Sequence, residues 1–175
     1  EIMLVAASKS KVAKYEMVIK KAGLKLSSLE LENFSMVTSL VGQDKGKFII
    51  IDIGSKVTNI IFVDKGVIKI SRNIDGGGKN ITMTLVKAMG IDEGRAEKLK
   101  LSSKDFFSAE SFIDFPTIEL IISEIKRIMS AMPRAGETPD VDGIILSGGS
   151  ANLTGLDRNL SQRLGVKVMV GNCLS

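Results

Sequence analysis

The chain has 175 residues, 44% hydrophobic and 25% charged, the balance of a soluble globular protein of one domain, or of one domain and a small insertion. Its 24 basic and 20 acidic residues leave a net charge of +4 that no segment gathers into a run, which argues against nucleic acid or a membrane surface as partner. The absence of histidine excludes Ser-His-Asp and Cys-His triads and imidazole metal ligands, and the single Cys173 excludes an internal disulfide and a multi-cysteine zinc site.

A cytoplasmic setting is therefore expected. No apolar run approaches the roughly 18 residues of a membrane helix, and Glu1 to Val5 lacks the basic start of a signal peptide. The chain opens in mid-strand without an initiator methionine, as a piece of a longer protein would.

In chain order, the apolar run Ile2 to Ala6 predicts a strand. Val12, Tyr15, Val18, Ile19 and Ala22 then fall at helical spacing between Ser8 and Gly23. Leu24 to Leu31 alternates as a second strand, and Phe34, Met36, Val37, Leu40 and Val41 mark a short helix ending at Gly42. Gln43 to Lys47 reads as a loop. Phe48 to Ile51 is a continuous apolar run, the pattern of a strand buried on both faces, and it ends at Asp52-Ile53-Gly54. Strands at Thr58 to Val63 and Val67 to Ile74, joined through Lys65-Gly66, give three antiparallel strands.

Gly76-Gly77-Gly78 breaks that pattern before a helix through Ile81, Leu85, Val86 and Met89, closed by Gly90. A further helix is expected around Asp92 to Leu101, then a loop of serine and phenylalanine, the whole of 91–115 reading as an insertion. Ile118, Ile121, Ile122, Ile125, Ile128 and Met129 define an amphipathic helix ending near Pro133, followed by a loop through Pro139. A buried strand at Ile144 to Leu146, a helix from Asn152 to Leu164 and a strand from Val166 to Val170 complete the chain.

Four places are suited to chemistry. A carboxylate at the end of a buried strand, Asp52, needs partners or ligands. The turn after it offers Gly54, backbone N–H groups and the Ser55 and Thr58 hydroxyls to phosphate oxygens, while Asp52 can hold a magnesium ion through water. Gly148, Gly149 and Ser150 follow a buried strand and precede a helix, so a ring or a phosphate can approach the backbone there. Gly77 and Gly78, with Lys79, form a third glycine-bearing turn. Glu97 and Lys100 share one helical face and can hydrogen-bond a ribose or an adenine edge. Taken singly, each has an ordinary explanation as a strand end, a tight connection with Ser150 or Asn152 as N-cap, a solvated lysine or an exposed ion pair.

Their order resembles a known superfamily. DIGSKVTN, VDKGVIKISRNIDGGGKNIT, AEKLK and IILSGGSANLTGL look like the second half of the actin and heat-shock-chaperone ATPases, in the bacterial branch that contains FtsA. With LVAASKSKVAKYEMVIKKAGLKL and LELENFSM added, the chain resembles the PilM family of actin-like cytoplasmic proteins in type IV pilus assembly, over nearly its whole length.

The resemblance implies an α/β fold of the actin-like ATPase (ribonuclease H-like) type with a mixed sheet, lacking the N-terminal first phosphate loop. It implies that ATP and Mg2+ are bound, with Asp52 near the metal, Gly54, Ser55, Thr58, Gly77 and Gly78 near the phosphates, and Glu97, Lys100, Gly148, Gly149 and Ser150 at the adenosine. Residues 1–31 would be part of subdomain 1C, 32–47 the connecting helix of 1A and a linker, 48–90 and 116–175 two parts of 2A, and 91–115 a small 2B-like insertion.

The implied role is a scaffold at the cytoplasmic face of the inner membrane that docks the N-terminal tail of a PilN-like membrane protein, alongside other pilus assembly proteins. Alternatives are an FtsA-like division protein or an actin-like ATPase or phosphotransferase. A soluble α/β interaction module whose glycines are only turns is the plainest one. Lys56 and Val57 stand where the superfamily often has small residues, and Asn33 where a proline is usual.

Overall fold

The apolar run at Phe48 becomes β1 (Lys47–Ile53), the middle strand of a five-stranded sheet, with Ile49, Ile50, Ile51 and Ile53 fully buried. The computed structural model describes residues 6–108, 110–131 and 141–172. They separate into two units, Glu1–Glu32 and Asn33–Ser175. The first contains α1 (Lys9–Lys21), which ends through Ala22 at Gly23 with φ +72°, as the spacing predicts. Of the strand expected from Ile2 to Ala6, residues 2–5 lie outside those described and Ala6 is in no strand.

Leu24 to Leu31 is not a strand. It pairs with no described strand, and Leu24, Leu29 and Leu31 are exposed. Alternation gives a residue two faces, but a strand exists only where a neighbour takes its N–H and C=O groups.

In the second unit α2 (Glu32–Leu40) closes through Val41 onto Gly42, whose φ of +58° turns the chain out of the helix. β1 pairs antiparallel with β2 (Thr58–Asp64), and β2 antiparallel with β3 (Val67–Ile74). The β2–β3 hairpin turns on Lys65 and Gly66, both at positive φ, the backbone that a two-residue loop between twisted strands requires.

The chain then runs through α3 (Gly78–Met89), α4 (Glu93–Lys100) and α5 (Pro116–Ala131) before β4 (Gly143–Ser147) enters parallel beside β1. A single 3-10 turn at Gly149–Asn152, α6 (Leu156–Leu164) and β5 (Val168–Val170), parallel to β4, complete the order β3-β2-β1-β4-β5. The expected loop through Pro139 falls among residues 132–140, outside those described.

One sheet face carries Ile49, Ile51, Ile53, Ile60 and Leu146 against α3, α5 and α6. The other carries Ile50, Ile61, Val63 and Ile145 against Val37 of α2 and Val41 just after it. That second layer is why the run at β1 is apolar at every position rather than at alternate ones.

The six apolar positions of α5 named above are all buried, and Phe106 and Phe115 from the preceding loop join the same core with their rings edge to face. The helix expected from Asn152 begins instead at Leu156. Leu153 is extended and Gly155 has φ +84°, so helical backbone cannot run through them, and Gly155 becomes the N-cap.

Ile121 and Leu120 are neighbours on α5, one fully buried and one 55% exposed. Ile121→Ala is expected to destabilise the chain by about 2–5 kcal/mol and Leu120→Ala by less than about 0.5 kcal/mol, as read from urea unfolding midpoints.

Candidate functional site

The hairpin between β1 and β2 turns over Gly54 to Val57, with the Gly54 N–H donating to the Val57 carbonyl at 3.1 Å. The first turn of α3 closes on it. The N–H groups of Gly78 and Lys79 donate to the carbonyls of Gly54 and Ser55, each at 2.8 Å, and the Gly77 N–H donates to Asn80 Oδ1 at 3.1 Å. A helix N-terminus leaves such N–H groups without partners inside the helix. Here the hairpin and Asn80 take them, so Gly77 and Gly78 bring helix and hairpin together rather than present amides to solvent.

Only glycine fits that approach, because a Cβ on Gly77 would collide with the Gly54 carbonyl oxygen, and one on Gly78 would lie 2.7 Å from Ser150 Oγ. Thr58 is fully buried behind the turn, its hydroxyl donating to the Gly76 carbonyl at 2.7 Å.

α4 begins at Asp92, whose side chain accepts from the Arg95 N–H, and it packs on α3. Glu97 and Lys100 meet at 2.8 Å, with the Glu97 side chain 45% exposed and the lysine enclosed. The Lys100 side chain is 9% exposed, and its Nζ reaches the Gly78 carbonyl at 3.3 Å and Thr82 Oγ1 at 3.0 Å. Thr82 Oγ1 in turn lies 2.5 Å from Glu97 Oε2. Hydrogen bonds from Lys100 and then Thr82 hold the Glu97 carboxyl below its ordinary value of 4.5, against the opposing effect of burial.

β4 delivers Gly148 with φ +82°, so close to β1 that a Cβ there would lie 2.6 Å from the Ile53 carbonyl oxygen and 2.8 Å from Asp52 Oδ1. The 3-10 turn follows directly, with Ser150 buried and Gly149 facing open space, no atom lying within 4 Å of where its Cβ would be. The helix N-terminus expected at this loop is therefore a short 3-10 turn, and α6 starts further on.

These elements surround a cleft of about 440 Å³. Of the residues singled out from sequence, Gly54, Ser55, Gly78, Lys79, Glu97, Lys100, Gly149 and Ser150 line it. Asp52, Thr58, Gly77 and Gly148 do not. Thr58 and Gly77 hold the hairpin and α3 in place, and Asp52, by strand alternation from Ile53, belongs to the face of Ile50. In register with Asp52 stand Asn59 on β2 and Ser147 on β4, a polar row across the sheet.

Sequence reasoning missed Thr82, Glu93, Gly94 and Leu101, which also line the cleft. A signal for Thr82 existed, since it lies between Ile81 and Leu85 on the buried side of α3, four residues after Gly78. For Glu93 and Leu101 there was none.

The family model for the type IV pilus assembly protein PilM matches residues 1–175. The chain belongs to the PilM family. This PilM-family chain is 22% identical over 173 residues to the cell division protein FtsA of Streptococcus pneumoniae serotype 2 (strain D39 / NCTC 7466), a match that covers 86% of the chain and 38% of FtsA.

Among solved structures, a chain of a PilM-PilN type IV pilus biogenesis complex matches with a TM-score of 0.70 and 21% identity, over 93% of this chain and 47% of that one. MreB 5 of Spiroplasma citri bound to AMPPNP matches with a TM-score of 0.74 and 18% identity, over 97% and 63% respectively. The fold is that of the actin-like ATPases, as the sequence resemblance implies. The chain spans less than half of FtsA and of the solved complex chain.

Gly148 and Gly149 in this PilM-family chain make a contrast that measures the site's construction. Gly148→Ala is expected to cost about 1–3 kcal/mol through strained backbone and collision with β1, while Gly149→Ala changes stability by less than about 0.5 kcal/mol, both from thermal unfolding.

Proposed function

We propose that this chain is the nucleotide-binding part of a PilM-like scaffold of type IV pilus assembly, taking ATP in the cleft between hairpin, α3, α4 and the 3-10 turn. The observation that carries this reading is the convergence of separate sequence motifs on one cleft, with a nearly buried lysine and an ionised carboxylate at one end. Glu97 and Lys100 supply an acceptor and a donor for a ribose or an adenine edge, and Gly149 leaves the backbone open to a flat ring. Ser55 and Lys79 line the same cleft and suit phosphate oxygens.

Among the described residues no group of three or more acidic or cysteine side chains is placed to hold a metal. Magnesium would arrive on the phosphates, and Asp52, which stands at the end of β1 outside the cleft lining, would meet it only through water and around the strand end. The subdomain reading given from the resemblance belongs to the same proposal, with 1–31 in 1C, 32–47 as connecting helix and linker, 48–90 and 116–175 in 2A and 91–115 as the 2B-like insertion. The scaffold would work in the cytoplasm, reach the inner membrane through partners, and dock the N-terminal tail of a PilN-like protein. One of the solved structures it resembles is a chain of a PilM-PilN complex, and no described helix is long and apolar enough to cross a membrane.

Calorimetry with magnesium-ATP tests the cleft. Gly149→Val places a side chain where the fold has room and the ligand would lie, so the variant is expected to fold normally and to bind ATP at least about 10-fold more weakly. An unchanged affinity would remove the adenosine end of the assignment. A synthetic PilN-like tail peptide is expected to be retained by the chain in a pull-down and not by a variant lacking residues 1–31, the part assigned to subdomain 1C. Equal retention by both would end the scaffold reading.

A further inference from the structure

The Thr82 hydroxyl has more neighbours than a core threonine needs. Thr82 is 1% exposed, and its Oγ1 lies 3.0 Å from the Gly78 carbonyl, 2.5 Å from Glu97 Oε2 and 3.0 Å from Lys100 Nζ. A hydroxyl carries one proton, so it accepts from Lys100 and donates to one of the two oxygens. The shorter, charge-assisted contact to Glu97 is the stronger claimant.

Gly78 stands at the other end of the same network. Its N–H holds the Gly54 carbonyl of the hairpin at 2.8 Å, and its C=O faces both Thr82 and Lys100. Hairpin, first turn of α3 and the α4 pair thus form one connected chain of hydrogen bonds, and Thr82 is the side chain that α3 contributes to it.

We propose that Thr82 is a positioning residue that couples the Gly54–Val57 hairpin to the Glu97–Lys100 pair, so that the two ends of the cleft move as one unit. The coupling rests on the nucleotide reading for its use: phosphates held at the hairpin would strengthen the grip of the pair on the nucleoside. Without the hydroxyl, Lys100 keeps Glu97 and the Gly78 carbonyl, but Glu97 loses its own hydrogen bond to α3 and Lys100 one of its two. The other charged groups lining the cleft, Lys79 on α3 and Glu93 on α4, have no hydrogen bond to Thr82.

The test compares the full chain with Thr82→Val and Thr82→Ser. In each, the Glu97 carboxyl is titrated by NMR and ATP binding is measured by calorimetry. Glu97 is ionised above 4.5 in the wild type and stays so down to a lower pH, because Lys100 and Thr82 hold the charged form. Its contribution to the α3–α4 contact is present above that ordinary value and is lost as pH falls through the depressed one.

Thr82→Val is expected to raise the Glu97 titration midpoint and weaken ATP binding about 10-fold, with Thr82→Ser close to wild type in both. A midpoint unchanged in Thr82→Val, or equally raised in Thr82→Ser, overturns the coupling whether or not ATP binds. A wild type that binds no ATP while the midpoint still shifts in Thr82→Val and recovers in Thr82→Ser supports the coupling and ends the nucleotide reading alone. Should Thr82→Val fail to fold, a Thr82→Ser midpoint and affinity matching wild type support the role of the hydroxyl, and a Thr82→Ser loss overturns it.

Discussion

The site depends on the close approach of α3 to the β1–β2 hairpin, made by two N–H groups and secured by two glycines. Gly78 and Lys79 donate to Gly54 and Ser55 at a separation that no residue with a Cβ at position 77 would allow. From that contact the remaining positions follow. The Gly78 carbonyl is turned toward Lys100, Ser150 Oγ lies beside the Gly78 Cα, and the hairpin cannot shift without moving the first turn of α3. The N-terminal dipole of the helix acts on the hairpin carbonyls first, so an anion in the cleft would gain less from α3 than from a helix end with free amides. Side chains such as Ser55 and Lys79 would then carry more of its recognition.

The sheet sets where the hairpin stands. β1 is covered on both faces, by α3, α5 and α6 on one and α2 on the other, so its run of isoleucines has no polar option until the strand emerges. The first polar row, Asn59, Asp52 and Ser147, marks that exit. Gly148 is the next residue along β4, and its positive φ turns the chain tightly over the end of β1, which brings the 3-10 turn to the cleft. A carboxylate at Asp52 is thus tolerated because the strand ends there, among polar neighbours.

Much of this was legible because the strongest patterns are also the most buried. The run at β1, the Lys65-Gly66 hairpin and the isoleucine stripe of α5 each state a periodicity that packing then uses. Leu24 to Leu31 shows the limit, since alternation describes a face and not the neighbour that a ladder needs. α6 starts four residues later than the sequence predicts, because Leu153 is extended and Gly155 takes a left-handed backbone that the sequence permits but does not announce. At the site, glycine turns and the Glu97 to Lys100 spacing stood out as local strings. Thr82 did not, because its partners are 15 and 18 residues away in sequence, and only the packing of α4 on α3 joins them.

The same network bears on what a ligand in this cleft can accomplish. Lys100 and then Thr82 favour the charged form of Glu97 by hydrogen bonding to it. Binding energy in such a cleft does work only where it differs between two arrangements of the protein. A hairpin, a helix start and an ion pair with a nearly buried lysine, joined by hydrogen bonds, would supply that difference to a ligand that meets all three.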